Sequence, residues 1–175
     1  DDLLLAAVRG AMAQVPTLDP RAIEDSIIGC SFPEGEQGMN MARIAMGLAF
    51  DHPVGGVTVN RFCASGITAI QMAADRIRVG EADVLIAGGA ESMSMVPMGG
   101  GKPSFNPEVF ARDEDVGIAY GMGLTAEKVA QQWRVTREAQ DAFALESHLR
   151  AIRAQQAGEF SDEITPFDVI ERTPD

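Results

Sequence analysis

Val57-Thr58-Val59-Asn60-Arg61-Phe62-Cys63-Ala64-Ser65-Gly66 is the stretch on which the fold turns. A short β-branched run gives way to a polar Asn-Arg pair. Small residues then open a segment whose apolar positions, Ile67, Ile70, Ala74 and Ile77, recur at helical spacing. The pattern predicts a strand over 56–60 and a helix over 64–79 that packs by those apolar residues, with Gly80 closing it. Upstream, the apolar run at 26–31 reads as a buried strand. A Gly- and Glu-rich loop over 33–38 leads from it into a helix over 40–50, which Asp51-His52-Pro53 breaks. Downstream, Asp83-Val84-Leu85-Ile86-Ala87 reads as a third buried strand, closed by Gly88-Gly89. This alternation predicts an α/β fold, a mainly parallel sheet with helices on both faces. In such sheets ligands gather at the carboxyl ends of the strands, where both Cys63 and the 88–92 corner fall.

Leu3, Leu4, Ala7, Val8, Ala11 and Met12 mark an opening helix, and Asp19-Pro20 starts a short helical turn. From Met93 the texture changes. Residues 93–107 are rich in Met, Gly, Pro and Ser with no period. Helices follow over 123–133 and 137–156, the second capped by Thr136 and ended by Gly158, with Phe143, Leu145, Leu149 and Ile152 available for packing. The expected organisation is a sheet domain over 1–92 and a mostly helical segment over 93–175.

Of the 175 residues 46% are hydrophobic, enough for one sizeable core. A net charge of −12 argues against nucleic-acid binding through a basic surface. Two cysteines, Cys30 and Cys63, make no disulfide framework. No apolar run approaches the roughly 20 residues of a membrane span, so a soluble, reducing, cytoplasmic setting is expected. Both ends read as cut, and the chain is expected to be a piece of something longer.

Cys63 is the candidate nucleophile. A helix start offers unpaired N–H groups and a positive dipole end that favour the reactive thiolate. Ala64, Ser65 and Gly66 leave room for a substrate carbonyl beside the sulfur. Cys30, among isoleucines, reads as core. His52 precedes a proline and His148 lies on a charged helix; both read as ordinary surface histidines. Glu91 reads as a carboxylate bonded to neighbouring backbone N–H groups, holding the corner beneath the nucleophile, with a catalytic role as the alternative. No Cys/His spacing suits a metal, and Gly88-Gly89 lacks the pattern of a phosphate cradle.

Val-Asn-Arg-Phe-Cys-Ala-Ser-Gly at 59–66 and Ala-Gly-Gly-Ala-Glu-Ser-Met-Ser at 87–94 resemble the two N-terminal signatures of the thiolases. Met-Gly-Leu-Thr-Ala-Glu at 122–127 and Arg-Glu-Ala-Gln-Asp-Ala-Phe-Ala at 137–144 resemble the family's loop domain. The resemblance implies the N-terminal half of a thiolase fold without its first and fifth strands, and a helical loop domain that covers coenzyme A. It implies acyl transfer in two steps: Cys63 takes an acyl group from a 3-ketoacyl-CoA, releasing acetyl-CoA, and free CoA then removes it. By the same resemblance Met122 lines the acyl pocket; the helix start itself makes the Cys63 N–H available as an oxyanion donor, and Asn60, Arg61, Gly66 and Glu91 are expected as structural residues near the site. No cofactor is implied beyond CoA as substrate, and the family pairs as homodimers or homotetramers. Gly121, where biosynthetic thiolases carry a histidine, points to the degradative branch. The family's Gly-His-Pro, Asn-Glu-Ala-Phe and Cys-x-Gly-x-Gly motifs are absent. Asp51-His52-Pro53 echoes the first but precedes the nucleophile, and is not equated with it. The segment alone is therefore expected to be inactive. The rival readings are a ketoacyl-synthase-type condensing enzyme, which the Asn-Arg-x-Cys-Ala-Ser-Gly and Gly-Gly-x-Glu-Ser-Met-Ser pair argues against, and a catalytically silent dimerisation or scaffold module.

Overall fold

The computed structural model describes residues 1–114 and 116–169, which form two compact units. The first comprises residues 1–103 and the segment from 165; the second comprises 104–164.

The first unit is built on three parallel strands, β1 (Asp25–Gly29), β2 (Val57–Val59) and β3 (Leu85–Gly89), in the order β2-β1-β3. Side chains alternate across a strand, so the adjacent isoleucines of β1 serve different cores. Ile28 joins Leu4 and Val8 of α1 (Asp2–Ala13) and Met41, Ala42, Ala45 and Met46 of α2 (Met41–Ala49). Ile27 faces Ala69 and Ala73 of α3 (Ser65–Arg78). Helices therefore cover both faces, as the alternation predicts.

The contact of α3 differs from the expected one. Its sheet-facing stripe is Ser65, Ala69 and Ala73, spaced four apart, whereas Ile67, Ile70 and Ile77 are exposed. The reason lies in the strand beneath. A Cβ at Gly29 would fall 2.6 Å from the Ser65 carbonyl carbon and 2.8 Å from the Gly66 nitrogen, so strand and helix meet backbone to backbone. Only small residues allow that approach, and the period holds while its phase turns over.

Asp25 and Ser26 tie β1 at its amino end. Arg76 of α3 reaches Asp25 at 2.6 Å, and the buried Ser26 hydroxyl donates to the Gly55 carbonyl at 3.0 Å. Helix ends follow their local chemistry. The Asp19 side chain accepts from the Arg21 N–H, and Gly80 closes α3 at φ +74°. Residues 93–103 are irregular and belong to this unit: Val96 is buried, and the Glu34 carboxylate accepts from the Gly101 N–H at 2.9 Å. The first unit thus includes the eleven residues 93–103 that lie past the sequence boundary at Met93.

The second unit holds two 3-10 turns, Pro107–Ala111 and Val116–Ala119, and two helices, α4 (Met122–Trp133) and α5 (Arg137–Gln156). Thr136 caps α5 by accepting from the Ala139 N–H, and Gly158 ends it at φ +74°. None of its described residues is buried. Phe143, Leu145, Leu149 and Ile152 stay exposed rather than packing.

Candidate active site

The carboxyl ends of the three strands converge on one edge, and Cys63 stands there. Helix α3 begins at Ser65 with Ala64 at its cap, so Cys63 lies just ahead of the first turn rather than within it. The thiol is exposed, whereas Cys30 is 1% exposed. The preceding residue, Phe62, takes φ +46°, a left-handed backbone that costs an L-residue about 1–2 kcal/mol. Side-chain hydrogen bonds hold it there. The Asn60 carboxamide oxygen accepts from the Phe62 N–H at 2.8 Å, and the Ser65 hydroxyl donates to the Phe62 carbonyl at 2.6 Å. The same hydroxyl accepts from the Arg61 N–H at 2.9 Å, and the Phe62 ring rests tilted against Phe32. Ser65 is buried, so one hydroxyl fixes the corner from below.

Beside the corner the surface is open. A Cβ at Gly66 would meet nothing within 4 Å. Asn60 and Arg61 are exposed on the same turn. The structure thus brings Asn60, Arg61, Cys63 and Gly66 together, with Glu91 behind them. Glu91 accepts from the Ser31 N–H and from the Gln37 side chain, each at 2.6 Å. Burial opposes its charge, yet those donors hold its carboxyl below its ordinary value. Burial, and then the charge of Glu91, push the Cys30 thiol up from its ordinary value. Cys30 therefore sits protonated 3.8 Å from the Glu91 carboxylate.

The remaining candidates lie elsewhere. His52 follows α2 and precedes β2, at the amino edge of the sheet opposite Cys63. Its ring packs on Phe50 and its Nδ1 lies 3.2 Å from Asp51, while its buried Nε2 has no partner among the described residues. His148 is exposed on α5 and Met122 opens α4, both in the second unit. No group of three or more metal-ligating side chains occurs among the described residues. Gln37 is the site residue the sequence reading missed. It lies in the loop between β1 and α2 and carries no local signal, yet it is 5% exposed and bonded on every side.

The family model described as the N-terminal domain of thiolase matches residues 1–175. The chain belongs to the thiolase family. Curated thiolases agree along most of it. A 3-ketoacyl-CoA thiolase of Bacillus subtilis (strain 168) is 48% identical over 84% of the chain and 37% of that protein. A 3-oxoadipyl-CoA/3-oxo-5,6-dehydrosuberyl-CoA thiolase of Escherichia coli (strain K12) is 39% identical over 95% of the chain and 45% of that protein. A beta-ketoadipyl-CoA thiolase of Pseudomonas aeruginosa is 40% identical over the whole chain and 47% of that protein. This thiolase segment therefore spans less than half the length of the curated relatives it matches. Among its described residues no helix is long and apolar enough to cross a membrane.

Proposed function

We propose that the protein containing this segment is an acetyl-CoA C-acyltransferase of the 3-ketoacyl-CoA thiolase kind, and that Cys63 is its acyl carrier. The carrying observation is an exposed thiol on a hydrogen-bonded, left-handed corner, at the open carboxyl edge of a parallel sheet. In the first half-reaction the Cys63 thiolate attacks the keto carbon. The bond between that carbon and its neighbour on the thioester side breaks, and its electron pair leaves on the neighbour, which takes a proton to become acetyl-CoA. In the second, the CoA thiolate attacks the Cys63 thioester, the new thioester departs as the shortened acyl-CoA, and the cysteine regains its thiolate. The Cys63 N–H serves the oxyanion. Condensation is the same route reversed. Relatives named for 3-ketoacyl-CoA and for beta-ketoadipyl-CoA support a 3-ketoacyl thioester as substrate class, and Gly121 supports acyl chains longer than acetyl.

With His52 at the far edge and the family's Gly-His-Pro motif absent from these 175 residues, the base belongs to the remainder of the longer protein. The second unit, with Met122, is the covering domain for CoA. Strand β2, at the edge of the described sheet beside the nucleophile, suits pairing into a homodimer or homotetramer, and the setting is cytoplasmic.

The test is acyl labelling of the full-length protein with a radiolabelled 3-ketoacyl-CoA, followed by peptide mapping. Label on the Cys63 peptide, lost in Cys63→Ala while CoA binding persists, is expected. Undiminished labelling in Cys63→Ala removes the cysteine from this role. The 175-residue chain alone is expected to release no acetyl-CoA at steady state.

A further inference from the structure

We propose that Gln37 is a positioning residue for Cys63, acting through Glu91, Ser31 and Asn60 on the Phe62 turn. The inference rests on the reading of Cys63 as acyl carrier. The Gln37 carboxamide joins three pieces of chain that sequence keeps apart. Its Nε2 donates to the Phe32 carbonyl at 2.9 Å and to the Glu91 carboxylate at 2.6 Å, and its Oε1 accepts the Ser92 N–H. Both amide hydrogens and the oxygen are thereby used inside a site only 5% exposed.

Glu91 passes the constraint on. Its second oxygen accepts the Ser31 N–H at 2.6 Å. The carbonyl of Ser31 accepts from Asn60 Nδ2 at 2.9 Å, and Asn60 Oδ1 in turn accepts the Phe62 N–H at 2.8 Å. Two carboxamides in series, one buried and one exposed, therefore connect the Ser92 corner to the residue before the nucleophile. Phe62 holds a backbone that few L-residues adopt unaided, and such a conformation persists only where its surroundings over-determine it. Gln37 is the one member of the chain of bonds that touches both the 31–32 and the 91–92 segments through an uncharged group. Without it Glu91 keeps its bonds to Ser31 and Phe32, but the Phe32 carbonyl and the Ser92 N–H lose their partner, and the 31–32 loop is held to the 91–92 corner by the carboxylate alone. Any drift of that loop moves the Phe62 turn, and the sulfur with it. Misplacing a reacting atom by about 1 Å can cost on the order of a hundredfold in rate.

The experiment uses the full-length protein and measures acyl-enzyme formation and iodoacetamide alkylation of Cys63. Gln37→Met keeps the length of the side chain and removes its hydrogen bonds. It is expected to lower kcat for acyl transfer by about tenfold or more while KM for the acyl donor stays within about twofold. Gln37→Glu sets two carboxylates together, and its activity relative to wild type is expected to recover as the pH is lowered and the pair shares a proton. Met46→Ala, buried among the residues of α1 and α2 and outside this chain of bonds, is the control for lost stability alone and keeps kcat within about twofold. Should Gln37→Met fail to fold, Asn60→Asp tests the next link. It keeps the acceptor for the Phe62 N–H, loses the donor to Ser31, and is expected to lower kcat in the same way. A kcat for Gln37→Met within twofold of wild type, or a loss that Met46→Ala reproduces, overturns the proposal, as does an unchanged kcat for Asn60→Asp if that variant is needed. If Cys63→Ala still accepts label, the acyl-carrier reading has failed, and the alkylation rate decides the positioning separately: a change of about threefold or more in Gln37→Met sustains it and an unchanged rate overturns it.

Discussion

Replacing Gly29 by Ala is expected to unseat the opening of α3, and the size of the effect follows from the contact. The added carbon would stand 2.6 Å from the Ser65 carbonyl carbon, roughly 1 Å short of the ~3.5 Å at which carbons meet without strain. The obstructing atoms are backbone and the Ser65 Cβ, so no flexible side chain can swing away. Overpacking of this kind costs about 1–3 kcal/mol, while losing a glycine from the unfolded chain returns about 0.4–1 kcal/mol. A net destabilisation of about 1–2 kcal/mol is expected. Gly66 supplies the opposite case at the same contact, since a methyl there meets nothing within 4 Å although its nitrogen borders Gly29. Because it lies in helix α3, Gly66→Ala should stabilise by about 0.5–1 kcal/mol. Urea unfolding of the two variants with unchanged m values gives both numbers. Iodoacetamide reports the displaced corner, because Cys63 is the exposed thiol and should change its rate in Gly29→Ala. Equal signs for the two glycines, or an unaltered Cys63 rate in Gly29→Ala, would refute the backbone contact as the element that seats the helix.

Three further outcomes are expected. In the native protein iodoacetamide should label Cys63 alone, with Cys30 reacting only after unfolding, because Cys30 is buried and its thiol is pushed up; peptide mapping checks this. Glu91 should make the protein acid-labile. A carboxyl held below its ordinary value adds stability that is complete above about pH 4.5 and disappears as pH falls through the lower native value, so Glu91→Gln should flatten that acid limb of an unfolding titration. Thr136→Ala should cost about 1 kcal/mol of α5 stability, visible as lost helicity in circular dichroism.

Much of this was readable from residues because the chemistry is local. Thr136 caps, the glycines at 80 and 158 at positive φ, and the first two strands follow from side chains and their neighbours in sequence, whereas β3 runs through Gly88 and Gly89 rather than ending before them and has no buried residue. The direction in which α3 faces was not readable. Helical spacing gives a period, and bulk alone points the isoleucines inward. A glycine 36 residues upstream decides the matter, because it brings the Ser65–Gly66 backbone against β1 and turns Ser65, Ala69 and Ala73 to the sheet. The exposure of Cys63 and the burial of Cys30 followed from their sequence neighbours. Gln37 was invisible for the same reason that α3 was misfaced: its partners, Phe32, Glu91 and Ser92, come together only once strands β1 and β3 pair.

The adjacency of Ile27 and Ile28 bears on how the sheet avoids a miscount. Sliding β1 by one residue would exchange two identical side chains between the two cores, so neither isoleucine penalises the error. The penalty falls on the flanks. A slip would carry Asp25 off Arg76 and into the hydrocarbon around α1 and α2, withdraw the Ser26 hydroxyl from Gly55, and drive a side chain into the place that Gly29 keeps vacant. Alignment of the middle strand is thus policed from its two ends, and the end beside Gly29 is also the one that carries the cysteine.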